Sequence, residues 1–391
     1  MAISDYQFLS PTRIEFGCGK SRKVGEFMRL FTPGKILLVT DQGVRKAGIV
    51  EPIERSLQQC GLSYEVFDDV QYNPNTVVVQ KALESLEYHQ CDVILAVGGG
   101  SSIDTAKAIA VLKTNKGNIM DYEGFGKIHT PPLPLVVIPT TAGTGSEVTN
   151  STVITDANTL FKAAVVSPLL FPKMAILDPE LTLELPQFLT ATTGMDALTH
   201  AIESYLSKQT NPICEALALH AIKLISGSIV KAYYVGTDLE SRSNILIASM
   251  MAGIAFAHAR LGNVHAISHA LGGIYNIPHG LANAILLPYV MKFNLPACRE
   301  KMEIVSACLA AGANRPLAAE HEKGRDAIDI VCELNRILNI PDNIKDLQVN
   351  LEDMDRIVRY SMRSGNVKVN PRLTGEKDIE NIIRQAYQGE I

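Results

Sequence analysis

Residues 91–107, CDVILAVGGGSSIDTAK, decide the fold class. A run rich in branched apolar residues leads directly into three glycines and then a helix-forming segment. Buried strand, tight turn and helix in that order make one unit of an α/β domain. Gly98, Gly99 and Gly100 let the backbone turn sharply and approach a ligand closely, and the free N–H groups at the helix start favour a phosphate. Ser101 and Asp104 have the S-x-x-D spacing of a capping box, which predicts a helix from Ser102. A triple glycine also serves plain tight turns, so the turn alone leaves both uses open.

On either side of this stretch the pattern repeats. ILLVT (36–40) precedes a helix ending at Cys60, with Val50, Ile53 and Leu57 at helical spacing, and SYEVF (63–67) precedes a helix ending near His89. LPLVVIP (133–139) is a further buried strand; STVIT and FKAAVVS flank a DAN turn as a hairpin, and MAILD (174–178) follows. Short apolar strands separated by helices imply a parallel sheet with right-handed crossovers. From Pro186 the periodicity becomes helical, as in Ile328, Val331, Leu334 and Leu338. Two domains are therefore expected: 1–185, a Rossmann-like α/β domain, and 186–391, all-α, with the boundary near DPELTLELP (178–186).

Composition narrows the function. The 391 residues carry 36 basic and 41 acidic side chains, a formal net charge of −5, without a basic stripe, so nucleic acid and anionic membranes are excluded as expected partners. Seven scattered cysteines contain no C-x-x-C pair and suit a reducing cytoplasm. Neither a signal peptide nor an apolar stretch of about 18 residues is evident.

Histidine is uncommon, nine in the chain, yet His258, His265, His269 and His279 fall within 22 positions. Nearby, in TGMDALTHAIESY, Asp196 and His200 are spaced i, i+4 in a helix-forming segment and project from one face. His265 opens a second helical segment, and His279 follows a Pro278 break that turns the chain back. Asp196, His200, His265 and His279 are read as ligands of one divalent metal. Three imidazoles and a carboxylate suit Fe, Zn, Ni or Co and are poor for Mg or Ca. His258 lies outside this spacing and is read as a packing or surface residue.

The glycine turn is not a G-x-G-x-x-G fingerprint, and its candidate ribose carboxylate, Asp41, precedes Gly98 by 57 residues instead of following by about 20. Asp41 stands directly after a strand. It either accepts ribose hydroxyls and repels a 2′-phosphate, or caps a turn. PTTAGTGSEVT (139–149) also follows a strand, and is either the ribose or nicotinamide side of a cofactor site or an irregular loop.

Taken together, GGGSSIDTAK, PTTAGTGSEVT, TGMDALTHAIESY, GNVHAISHALGGIYNIPHGLANAILLP and the late NPR (370–372) resemble the iron-dependent (group III) alcohol dehydrogenases nearly end to end. The resemblance implies the dehydroquinate synthase-like fold of that family, NAD, and Fe(II) or sometimes Zn(II) on the four ligands. It places Asp41, Asn73, Gly98, Gly99, Gly100, Ser101, Asp104, Thr140, Thr141, Ser146, Lys162 and Leu181 along the dinucleotide. It matches His269 to a histidine near the reacting centre, and it implies a homodimer or larger homo-oligomer.

The expected activity is NAD-linked oxidation of short primary alcohols or diols, or reduction of their aldehydes, by hydride transfer. An apolar wall including Phe256 and Ile267 is expected to seat the substrate, with Arg260 assigned to the surface. Three other activities compete with this one: a hydroxy-acid dehydrogenase of the 4-hydroxybutyrate type, a dehydroquinate synthase-like lyase, and a nucleotide-binding regulatory protein without turnover.

Overall fold

A computed structural model describes residues 5–314 and 324–391. These divide into two compact units: one comprises Leu9–Thr141 and Gly145–Glu184, the other 185–391, Ala142–Thr144 and the segment ending at Phe8.

The α/β unit contains strands β1 (Arg13–Phe16), β2 (Ile36–Val39), β3 (Tyr64–Phe67), β4 (Val93–Gly98), β5 (Gly124–Phe125), β6 (Leu135–Pro139), β7 (Ser151–Thr155), β8 (Lys162–Val166) and β9 (Met174–Leu177). Its helices are α1 (Val24–Met28), α2 (Gln42–Lys46), α3 (Val50–Gln59), α4 (Thr76–Tyr88) and α5 (Gly100–Thr114). Six strands form an all-parallel sheet in the order β1-β9-β6-β4-β2-β3. β7 and β8 pair as an antiparallel hairpin, with β5 alongside β8.

Strand periodicity sorts the core onto the two faces of the sheet. Leu37, Val39, Ile94, Ala96, Val137 and Ala175 pack with Val79 and Leu86 of α4 and Ile103 and Ile109 of α5. Their alternates Ile36, Leu38, Leu95, Val97, Ile138 and Ile176 pack with Val24 and Met28 of α1 and Val50, Ile53 and Leu57 of α3.

Strand order also marks the ligand edge. From β2 the chain moves outward to β3, whereas from β4 it moves the other way to β6, so the connections after β2 and β4 diverge. In open α/β sheets the crevice at the carboxyl ends of two such strands is where ligands bind. Asp41 follows β2, and the glycine turn follows β4.

The capping-box expectation is corrected. α5 starts at Gly100 behind Gly99, with no side-chain cap, so Ser101 already lies inside the first turn. Asp104 Oδ2 instead accepts from Val153 N at 3.0 Å. Nor did the sequence suggest β1 and β5, since RIEF is an edge strand alternating charged with apolar residues and β5 has two residues.

The helical unit contains α6 (Gln187–Leu206), α7 (Pro212–Tyr234), α8 (Leu239–Ala259), α9 (Asn263–Tyr275), α10 (His279–Asn294), α11 (Arg299–Gly312), α12 (Arg325–Ile337), α13 (Met354–Arg363) and α14 (Glu376–Gln388). Among the described residues one helix, α7, has the length and apolarity to cross a membrane, and it packs along α6, α8 and α11. All seven cysteines are free thiols.

One buried cation ties α5 to the β7–β8 hairpin. Lys107 on α5 is 1% exposed, and its Nζ donates to Thr149 O, Thr149 Oγ1 and Ser151 O at 2.8, 2.9 and 2.8 Å. Burial pulls its pKa down to about 8 against the opposing pull of Asp104 and Glu147. All three ammonium donors are used. Lys107→Met leaves two carbonyls buried without a donor, and at about 1.5–3 kcal/mol per bond to a charged group it should cost about 3 kcal/mol or more. Urea unfolding checks this; a loss under about 0.5 kcal/mol, typical of a neutral surface change, would contradict it.

Candidate metal centre

α6 presents Asp196, His200 and Glu203 at i, i+4 and i+7, on one face. α9 contributes His265 and α10 contributes His279 from its first position. One donor atom from each of Asp196, His200, His265 and His279 lies within 4.8 Å of all the others. From Asp196 Oδ1, the Nε2 atoms of His200, His265 and His279 stand at 3.8, 3.9 and 3.8 Å. Two atoms each bound to one ion at about 2.1 Å are at most about 4.2 Å apart. Three imidazoles therefore stand within single-ion reach of one carboxylate oxygen, and the donor set fits a borderline divalent metal.

The outer ring nitrogens have partners of their own. His200 Nδ1 faces the carbonyl of Gly143 at 3.1 Å, and His265 Nδ1 faces Glu203 Oε2 at 2.6 Å. Each contact holds the proton on Nδ1 and leaves the Nε2 lone pair directed inward. Asp196 and Glu203 are 2% and 5% exposed. Burial pushes the Glu203 carboxyl up to about 7, opposed by hydrogen bonds from Gly262, Val264 and His265 backbone and by His200. His279 is the one partly open member of the four.

Two neighbours went unread in the sequence. Asn283, fully buried one turn beyond His279, has its Nδ2 at 2.6 Å from Asp196 Oδ1, 3.0 Å from His265 Nε2 and 3.1 Å from His279 Nε2. Glu203 is the other. Both had a legible signal, D-x-x-x-H-x-x-E and H-x-x-x-N, each on one helical face.

The surroundings are partly as expected. Phe256 stacks on the His200 ring at 4.5 Å. His269 is half-buried, its ring 5.9 Å from His265 and 5.2 Å from His279. His258 packs on Phe8 at 4.4 Å. Arg260 is exposed at the end of α8, its guanidinium against Gly365. Ile267 is a correction: it is fully buried, because two residues from His265 along a helix is about 200° of rotation and faces the core.

In the α/β unit the cofactor candidates gather at the carboxyl edge of the sheet. Asp41 caps α2 through Oδ1, accepting from Val44 N at 3.0 Å, while Oδ2 accepts from Ser102 Oγ at 3.4 Å beside Gly98. Capping thus uses one oxygen and leaves the other at the turn. Gly98 has φ +153°, and a Cβ there would meet Ser102 Oγ at 2.5 Å, so a side chain is excluded. Thr140 N donates to Gly98 O at 3.1 Å, and the Thr141 side chain lies against Gly99. Lys162 Nζ donates to Asn73 Oδ1 at 2.6 Å. Asp104 is near Ser146 and Lys162; burial raises its pKa to about 6 against Lys107, Val153, Ser146 and Lys162, so its carboxylate serves this network. Leu181, on the turn after β9, is half-buried against the α1–α3 face of the sheet.

Residues 11–179 match the profile described as iron-containing alcohol dehydrogenase, and residues 190–387 match the Fe-containing alcohol dehydrogenase family, C-terminal. The chain is 40% identical over 389 residues to 1,3-propanediol dehydrogenase of Citrobacter freundii, covering 99% of this chain and 100% of that protein. It is 36% identical over 382 residues to NAD-dependent methanol dehydrogenase of Bacillus methanolicus, covering 97% and 99%. A crystal structure of 1,3-propanediol oxidoreductase superposes with a TM-score of 0.93 at 38% identity, covering 98% of this chain and 100% of that one.

The close approach of α10 to α6 at the centre is testable. A Cβ on Gly280 would meet Thr192 O at 2.3 Å and Asp196 Cβ at 3.3 Å. Gly280→Ala pushes α10 outward and takes His279 beyond the about 4.2 Å that one ion spans. Affinity for Zn(II), measured by titration of the metal-free protein, should fall about tenfold or more, as for loss of a supporting contact; unchanged affinity would contradict this.

Proposed function

The chain belongs to the iron-containing alcohol dehydrogenase family and is an oxidoreductase acting on alcohols; we propose that it interconverts short primary alcohols or diols and their aldehydes with NAD and one ferrous ion. The observation that carries this reading is the convergence of Asp196, His200, His265 and His279. Fe(II) or Zn(II) held by these residues supplies Lewis acidity toward a hydroxyl or carbonyl oxygen. NAD supplies the hydride acceptor, and NADH the donor in reverse. Seven free thiols suit a reducing cytoplasm.

The chain's own residues do the rest. Gly143 and Glu203 keep two imidazoles in the tautomer with Nε2 open. Phe256 covers one face of His200 and keeps water from it. His269, between the site imidazoles and partial exposure, takes the hydroxyl proton and returns it to solvent, as an imidazole does near neutral pH. On the α/β unit, the glycine turn and the start of α5 hold the pyrophosphate. Asp41 Oδ2, held at the turn by a long 3.4 Å bond from Ser102 Oγ, accepts ribose hydroxyls and repels a 2′-phosphate, which favours NAD over NADP.

Substrate class follows from what flanks the imidazoles. Phe256 is apolar, and the nearest candidate for a carboxylate clamp, Arg260, is exposed and lies against Gly365. Short diols and alcohols gain about 0.8 kcal/mol per buried methylene, while among the described residues named around the imidazoles none is a buried cation for a carboxylate. With NAD, kcat/KM for propane-1,3-diol and butanol should exceed that for 4-hydroxybutyrate by about tenfold or more, and NADP should be the poorer cofactor. The hydroxy acid winning by that margin would overturn the substrate assignment and implicate Arg260. Net NADH formation separates this activity from a lyase and from a regulatory protein.

A further inference from the structure

We infer that Glu203 is a positioning residue of the metal centre: its carboxylate fixes both the tautomer of His265 and the first turn of α9. The inference rests on the metal-centre reading above and adds a residue to it. α9 follows Gly262 with no side-chain cap of its own. Its first N–H groups are satisfied from outside, Asn263 N by Asn370 Oδ1 at 3.3 Å and Val264 N by Glu203 Oε1 at 2.7 Å. The other Glu203 oxygen faces His265 Nδ1 at 2.6 Å. One carboxylate thus offers two acceptors to two donors on consecutive residues.

Asn370 is the residue of the NPR motif that the proposed chemistry left unused. It is braced by a reciprocal amide pair with Asn294, at 2.7 and 3.1 Å, and so fixes where α9 begins without touching an imidazole. Glu203 alone does both, which separates a purely structural brace from a residue that sets the ligand.

The chemistry of glutamine sharpens the distinction. An amide offers one acceptor and one donor group where glutamate offers two acceptors. If the Gln oxygen faces Val264 N–H, its NH2 meets His265 Nδ1, and the ring is satisfied only with its proton on Nε2, the nitrogen needed for the metal. If the amide turns round, a donor meets a donor at Val264. Charge points the same way: among the described residues neither Asp196 nor Glu203 pairs with a lysine or arginine, so a bound divalent cation would be the charge partner that both lack.

The test titrates metal-free protein with Co(II), reading affinity and the visible absorption of the bound ion, with the metal-free melting midpoint measured alongside. The unmodified protein should bind one Co(II). Glu203→Gln should bind about ten- to a hundredfold more weakly with an altered visible spectrum, at an unchanged metal-free melting midpoint. Asn370→Ala should do the reverse, melting earlier while Co(II) affinity changes by about threefold or less. Glu203→Gln with the affinity and spectrum of the unmodified protein would overturn the inference while leaving the metal centre standing. An unmodified protein that binds no Co(II) would overturn both. If Glu203→Gln does not fold, Glu203→Asp, which keeps the charge but loses the reach to both donors, is read by the same two outcomes.

Discussion

Two carboxylates buried among imidazoles are the constraint on which the helical unit depends. Removing an ionised carboxylate from water is costly unless charge and hydrogen bonds compensate it. Asp196 receives the Asn283 amide, and Glu203 receives Val264 N–H and His265. Those partners come from α9 and α10, so satisfying α6 requires the other two helices to approach it closely. Gly280 permits that approach, and Asn370 accepts the N–H of Asn263 at the start of α9. The packing of three helices and the geometry of four donor atoms therefore have one cause.

The α/β unit solves a separate problem with backbone. A parallel sheet directs its strand ends to one edge, and the divergence after β2 and β4 leaves room there for a ligand. Asp41 and the glycine turn occupy that place, with the β6 end hydrogen-bonded to Gly98. Behind them Lys107, Asp104 and Glu147 are buried together. Burial raises Glu147 to about 7 and lowers Lys107 to about 8, and the attraction between the two opposes both shifts.

Much of this was legible in the chain because its signals are local. The apolar runs 36–40, 91–97 and 133–139 correspond to β2, β4 and β6, and the i, i+4 pair Asp196 and His200 shares a helical face. Ligand spacing across Pro278 was readable because proline marks the boundary of α10. What was missed depends on distant partners. Ser101 and Asp104 match a capping box in spacing, yet the glycine turn starts the helix earlier and β7 claims the Asp104 carboxylate. Ile267 is apolar, and only its angle from His265 sends it to the core. Glu203 and Asn283 lay within quoted motifs, but their roles depend on α9 and α10 meeting α6.

The central claim is that these four side chains hold one divalent ion on which turnover depends. The most direct measurement is the ratio of bound metal to chain, determined with NAD-linked turnover of propane-1,3-diol as chelated protein is reloaded with Fe(II) under anaerobic conditions. Turnover should be absent in the metal-free protein and rise in proportion to bound ion, saturating at one per chain. Full turnover by protein stripped of metal would contradict the account.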